Sequence, residues 1–169
     1  YQKGFGGHFH NDNSLAIFRD IPGIILGVPS NGSSAVKMFR HALKLAYEEK
    51  RIVVFIEPIA LYMTKDLHEK NDGQWSFKYP KHSEEITLGQ TIRYGTSKVL
   101  TILSYGNGLY LSLRAKKEIE KKIDETIQII DLCWLSNIEI NNLLKQIGNC
   151  SSVLIAVSYT HLTLPTTEA

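Results

Sequence analysis

Two histidines set two residues apart, His8 and His10, stand behind the pair Gly6-Gly7 and ahead of Asn11-Asp12-Asn13-Ser14. Imidazole is the side chain best suited to proton transfer near neutral pH. The glycines permit close backbone approach to a ligand, and the run is too polar for a core strand. A reactive site in this chain is expected here. Two other roles stay open for these residues. In an extended segment positions i, i+2 and i+4 share a face, so His8, His10 and Asp12 can together ligate a metal. No further Cys, His or acid stands at ligand spacing, which leaves a catalytic or substrate-orienting imidazole as the main reading and backbone-satisfied structural histidines as the other.

Further along, Glu57 precedes Pro58 at the end of an apolar run, the end of a strand where open α/β sheets bind ligands; local pairing or capping is the alternative. Ser104-Tyr105-Gly106-Asn107-Gly108 reads as a strand-to-helix turn that can accept an anion. It is neither a G-x-G-x-x-G fingerprint nor a P-loop, because the spacing and the Lys are missing. Asp131 ends the next apolar run and is read as structural before functional. Trp75, Phe77 and Tyr79 alternate as in a half-buried strand covering a core.

The elements that must position these residues follow an α/β rhythm. A short helix over residues 15–19 is followed by the turn Asp20-Ile21-Pro22-Gly23. The run 24–28 is continuous and apolar, the pattern of a buried parallel strand. After the loop 29–33, with Ser33 or Ser34 as cap, Val36, Phe39, Leu43 and Ala46 recur at helical spacing to about residue 50. The strand 51–57 closes a βαβ unit. Residues 65–85 are polar and turn-forming, an excursion or linker belonging to neither core. Strand 99–105, helix 109–122, strand 126–132, helix 138–147 and strand 152–156 then repeat the rhythm, which predicts a mostly parallel sheet. The fold class is α/β, with two partial parallel-sheet domains: residues 1–64 and 89–156, joined by 65–88.

Composition sets the outer limits. The 169 residues carry 43% hydrophobic and 21% charged side chains and a net charge of +2, as in globular proteins, with no case for nucleic acid. Lys116-Lys117 and Lys121-Lys122 lie among acids on a helix and read as a solvated face. No apolar run approaches the ~20 residues that cross a bilayer, so no membrane partner is expected. Cys133 and Cys150 lack metal spacing and read as reduced, packed thiols of a cytoplasmic protein. Residues 157–169, including His161, break the rhythm with a threonine-rich run that resembles the translation of a transposase-based sequencing adapter. They are excluded from fold reasoning, and the chain is read as an internal piece of a longer protein. Its last strand then presents an open edge prone to association.

The order of Gly6-Gly7-His8-Phe9-His10-Asn11-Asp12-Asn13-Ser14, Asp20-Ile21-Pro22-Gly23-Ile24, Val28-Pro29-Ser30, Phe55-Ile56-Glu57-Pro58-Ile59-Ala60-Leu61-Tyr62, Ser104 to Gly108 and Asp131-Leu132-Cys133-Trp134-Leu135 resembles a known family. It is similar to the beta-type half of the thiamine-diphosphate-dependent 2-oxo-acid dehydrogenase decarboxylase component, within the transketolase superfamily. The resemblance implies the second half of a pyrimidine-binding domain followed by the start of a transketolase C-terminal domain. It also implies thiamine diphosphate as cofactor, with Mg2+ held by a diphosphate-binding domain outside this chain and the activating glutamate upstream of Tyr1. His10 matches the family histidine that transfers a proton at the 2-oxo acid adduct or the lipoyl group, and His8 would line the same pocket. Asn11, Asp12 and Asn13 stand where many relatives have Ser-Gln-Ser, so substrate contacts differ. Cys133 and Asn137 replace a common Arg and Pro.

The implied activity is oxidative decarboxylation of a 2-oxo acid with acyl transfer to lipoamide, with this piece alone inactive. The implied partners are an alpha-type half, fused or separate, and a lipoyl-bearing acyltransferase, in a dimer or heterotetramer. A transketolase or deoxyxylulose-phosphate synthase relative is the alternative enzyme; it needs basic residues for a substrate phosphate, for which only Arg19 and Arg40 stand available. A non-catalytic α/β binding or assembly module is the third reading.

Overall fold

In a computed structural model the described residues are 15–156, and they form two sheets that share one junction. After the short helix α1 (Leu15–Arg19), β1 (Ile24–Gly27) runs parallel to β2 (Ile52–Phe55), paired from Ile24 opposite Ile52 to Gly27 opposite Phe55. The crossover between them is α2 (Gly32–Tyr47). The unbroken apolar run of β1 is explained by its burial, with Ile25 and Leu26 sealed from solvent.

Helix α2 begins earlier than its serines predict. Asn31 is the cap: its side-chain oxygen accepts the Ser34 amide at 2.9 Å, and Ser34 Oγ accepts the Asn31 amide at 3.1 Å. Ser34 thus closes a reciprocal capping box from inside the helix. Met38, Ala42 and Leu45 form the buried face. Another face is strapped to the segment that follows. Arg40 donates to the carbonyls of Lys81, Glu84 and Pro80, while Lys37 pairs with Glu84 at 2.6 Å and Lys44 with Glu85.

Residues 65–85 contain no helix or strand, so the alternating aromatics are not a strand. Trp75 is buried against Ile102, Leu109, Ile127 and Ile129, whereas Phe77 is 41% and Tyr79 78% exposed. The segment therefore contributes to a core after all. Its loop is folded on carboxylates: Asp66 accepts the amides of Asn71 and Gly73, and Asp72 accepts those of Leu67, His68, Glu69 and Gln74. These donors, opposed by desolvation, hold the Asp72 carboxyl well below its usual range.

The second sheet has the order β3-β5-β4-β6. β4 (Leu100–Ser104), β5 (Ile127–Asp131) and β6 (Ser152–Ile155) are parallel, connected by α3 (Asn107–Ile123) and α4 (Ile140–Ile147). β3 (Ile92–Tyr94) is an additional antiparallel strand on β5, with Ile92 opposite Asp131. At three residues it is too short for any periodicity, which is why the sequence reads as a purely parallel arrangement there. β6 forms the far edge, with Val153, Leu154 and Ile155 exposed.

The chain leaving β5 joins the two sheets. Val28 donates its amide to Cys133 and Leu135 donates to Leu26, both at 2.8 Å, so residues 133–135 line the free edge of β1. Gly27 bridges Trp134 in antiparallel sense. The Trp134 ring is buried among Ile25, Met38, Ala42, Leu45 and Ile86, and its Nε1 donates to the Ile86 carbonyl at 3.2 Å. A Cβ on Gly27 would stand 2.8 Å from Trp134 Cζ3, so the approach of ring to strand requires glycine.

Candidate functional site

Both sheets present their C-terminal strand ends to the same region. From β1 the chain runs through Val28 and Pro29 to Ser30 and Asn31, which open α2. From β2 it reaches Glu57, where Pro58 removes the next backbone donor and ends the ladder. A cleft of about 620 Å³ lies between these loops and the 61–77 segment, lined by Ser30, Asn31, Glu57, Tyr62, Met63 and Phe77 among others. Glu57 is the charged side chain among its lining residues. The Tyr62 hydroxyl donates to Glu57 Oε2. That bond, with lesser help from desolvation and the carboxylate charge, raises the phenol above its ordinary value.

Beneath the cleft lies a buried polar chain. Gly106 donates its amide to Ser30 Oγ at 2.7 Å, and Ser30 donates its hydroxyl to Asp131 Oδ1 at 2.9 Å. The Cys133 amide donates to the same oxygen at 3.3 Å. Asp131 is fully buried, and its Oδ2 has no hydrogen-bond partner among the described residues. Burial pushes its carboxyl up to about 7, against the pull of Ser30 and Cys133. Burial, with the Asp131 charge, also holds the Tyr94 phenol and the Cys133 thiol well above their usual ranges.

The turn Ser104 to Gly108 is not an open anion cradle. Its Gly106 amide is used by Ser30, and a Cβ on Gly108 would collide with Ser104 Oγ and stand 3.1 Å from the Ala156 carbonyl. Gly108 serves close packing within the second sheet, against Ser104 and Ala156. Ser30, Asn31 and Tyr62 are the site residues that the sequence did not single out. The one available signal was a Ser-Asn pair directly before a helix; Ser30 finds its partner Asp131 101 residues away, whereas Asn31 and Tyr62 pair locally with Ser34 and Glu57.

His8, His10, Asn11, Asp12 and Asn13 lie outside the described residues, as do His161 and the rest of 157–169. Leu15, at the start of the described chain, is buried with Leu26, Val28 and Leu135. Among the described residues no group of three or more His, Cys, Asp or Glu can hold a metal ion.

No protein-family model matches the chain. Two solved transketolases share its fold. A split-gene transketolase, an inactive beta4 tetramer, superposes with a TM-score of 0.63 at 19% identity, covering 87% of this chain and 43% of that one. A transketolase variant of Pichia stipitis gives 0.54 at 18% identity, covering 85% and 19%. The fold is therefore of the transketolase type. In sequence, the mitochondrial 2-oxoisovalerate dehydrogenase subunit beta of Dictyostelium discoideum is 25% identical over 153 residues, 90% of this chain. The chain is thus similar in sequence to 2-oxo-acid dehydrogenase beta subunits. The pyruvate dehydrogenase E1 component subunit beta of Staphylococcus epidermidis matches at 25% over 156 residues. The chain spans 38% and 43% of the lengths of these two beta subunits.

Proposed function

We propose that this chain is part of a thiamine-diphosphate-dependent 2-oxo-acid dehydrogenase, which decarboxylates a 2-oxo acid oxidatively and passes the acyl group to lipoamide. The observation that supports this most directly is the match to dehydrogenase beta subunits along 90% of the chain. Thiamine diphosphate, when bound, supplies the carbanion stabilisation that decarboxylation requires. His10 holds and moves the proton of the reaction, His8 lines the same pocket, and Asn11, Asp12 and Asn13 contact the substrate. The activating glutamate and the Mg2+ ligands come from outside this chain. An alpha-type half and a lipoyl-bearing acyltransferase are its partners, and the assembly works in the cytoplasm.

The transketolase alternative, acting on sugar phosphates, has less support. Transketolases resemble the chain in fold at 18–19% identity, and among the described residues no cationic side chain lines the cleft.

The test is a panel of 2-oxo acids assayed with thiamine diphosphate on the full-length protein together with its alpha-type half, with His10→Ala alongside. General acid–base roles contribute about 10²–10⁴-fold. A loss of that size in kcat with cofactor binding retained is the expected result. Turnover of sugar phosphates but no 2-oxo acid would replace this reading with the transketolase one. An active dehydrogenase indifferent to His10→Ala would remove the histidine's role.

A further inference from the structure

Glu57 brings into the cleft a charge that no other lining residue balances. It is the one charged side chain there, and no ion pair of the described residues includes it. The fold fixes its place. β2 ends at Phe55 and Pro58 halts the ladder, so the carboxylate stands at the C-terminal edge of the first sheet. The single turn Ile59–Leu61 then brings back Tyr62, whose hydroxyl donates to Oε2. Oε1 keeps no hydrogen bond among the described residues and is free to take a donor.

The walls around this carboxylate are apolar and aromatic, and they meet solvent. Met63 is 85% exposed, Tyr62 60% and Phe77 41%, and all three line the same cleft. The Phe77 ring is backed by Trp75, edge to face with 5.2 Å between centroids, and Trp75 is itself anchored in the core of the second sheet. Exposed apolar side chains gathered around a concavity mark interaction sites, and a flexible thioether adapts to what is laid on it.

A lone carboxylate repels anions, so neither a 2-oxo acid nor a phosphate suits this cleft, whereas a cation does. Among cations a guanidinium fits best. It gives a planar fork of donors to a carboxylate and stacks on aromatic faces, while an ammonium is a compact charge that holds its water. A small guanidinium compound would leave Met63 and Tyr62 in solvent; a polypeptide with apolar residues beside its arginine would cover them. Arginine and aromatic residues recur together at the centres of protein interfaces. We propose that the cleft is a docking surface for a partner protein, which inserts an arginine side chain against Glu57 and lays its flanking apolar residues on Met63, Tyr62 and Phe77. Docking of this kind does not depend on which reaction the parent protein runs.

The test is an NMR titration of the full-length protein, carrying methyl-labelled methionine, with the peptide acetyl-Leu-Arg-Phe-amide. The Met63 methyl is assigned through Met63→Leu, and Met38, buried in α2, is the internal control. A saturable shift at Met63 with none at Met38 is expected. Glu57→Gln should weaken binding roughly tenfold or more, the loss expected when a hydrogen bond to a charged group is removed. The same peptide with citrulline, the neutral isostere of arginine, should weaken to a similar extent on the unaltered protein, so the outcome does not hang on how the variant folds. No saturable shift at Met63, or equal binding of the arginine and citrulline peptides, overturns the proposal. Acetyl-arginine-amide binding as tightly as the tripeptide would overturn protein docking in favour of a small cationic ligand.

Discussion

Ser30 donates its hydroxyl to Asp131 at 2.9 Å across 101 residues of sequence, and the same oxygen accepts the amide of Gly106. One small side chain thus ties the end of β1 to the ends of β4 and β5, in a place closed to solvent.

Ser30→Ala removes both bonds at once, leaving the Gly106 amide unpaired in a dry site. Orphaning a buried polar group costs about 1–3 kcal/mol. The urea midpoint should fall accordingly with an unchanged slope. A midpoint equal to wild type would mean that the bridge contributes no net stability.

Gly27→Ala tests the packing of Trp134 on β1. The added methyl would meet Cζ3 at 2.8 Å, Cε3 at 3.0 Å and Met38 Cε at 3.3 Å. The ring is buried on all sides and cannot move aside freely, so overpacking should destabilise by about 1–3 kcal/mol. Thermal unfolding checks it, and an unchanged Tm would show that the junction is looser than these distances imply.

The two cysteines should differ in reactivity. Cys133 is sealed from solvent and its thiol is pushed up by burial and by Asp131, whereas Cys150 is partly exposed. Reaction requires an accessible thiolate. Mass spectrometry after iodoacetamide treatment should find Cys150 alkylated in the native protein and Cys133 only after denaturation. Equal labelling under native conditions would contradict the packing of residues 131–134.

Glu57→Gln should lower the Tyr62 phenol toward its ordinary value. The shift arises first from the bond to that carboxylate. Tyrosine ring-carbon labelling, with the Tyr62 resonance assigned through Tyr62→Phe, follows the titration. An unmoved midpoint would exclude the pair in solution.

The βαβ unit was legible because β1 is an unbroken apolar run and α2 carries apolar residues at helical spacing. The helix start was misread because Ser33 and Ser34 are good caps in isolation; Asn31 wins by exchanging bonds with Ser34. β3 was invisible, since three residues stabilised only by β5 leave no pattern of their own. At the site, Glu57 was marked by the proline that follows it. The partnership of Ser30 with Asp131 was not, because neither residue type is unusual in its segment and only the meeting of two sheets brings them together. The loop before Trp75 is held by backbone amides that donate to Asp66 and Asp72, an arrangement with no periodicity to read, and it brings one indole against a core.

The antiparallel stitch along β1 also sets a schedule for assembly. Leu26 meets Ser136 across 110 residues, so the first sheet cannot acquire its outer edge until the second has nearly been synthesised. Closures of such long range raise contact order and slow folding. Meanwhile the nascent β1 presents unpaired backbone and the Met38–Leu45 face lacks its tryptophan, a state exposed to mispairing and to chaperones.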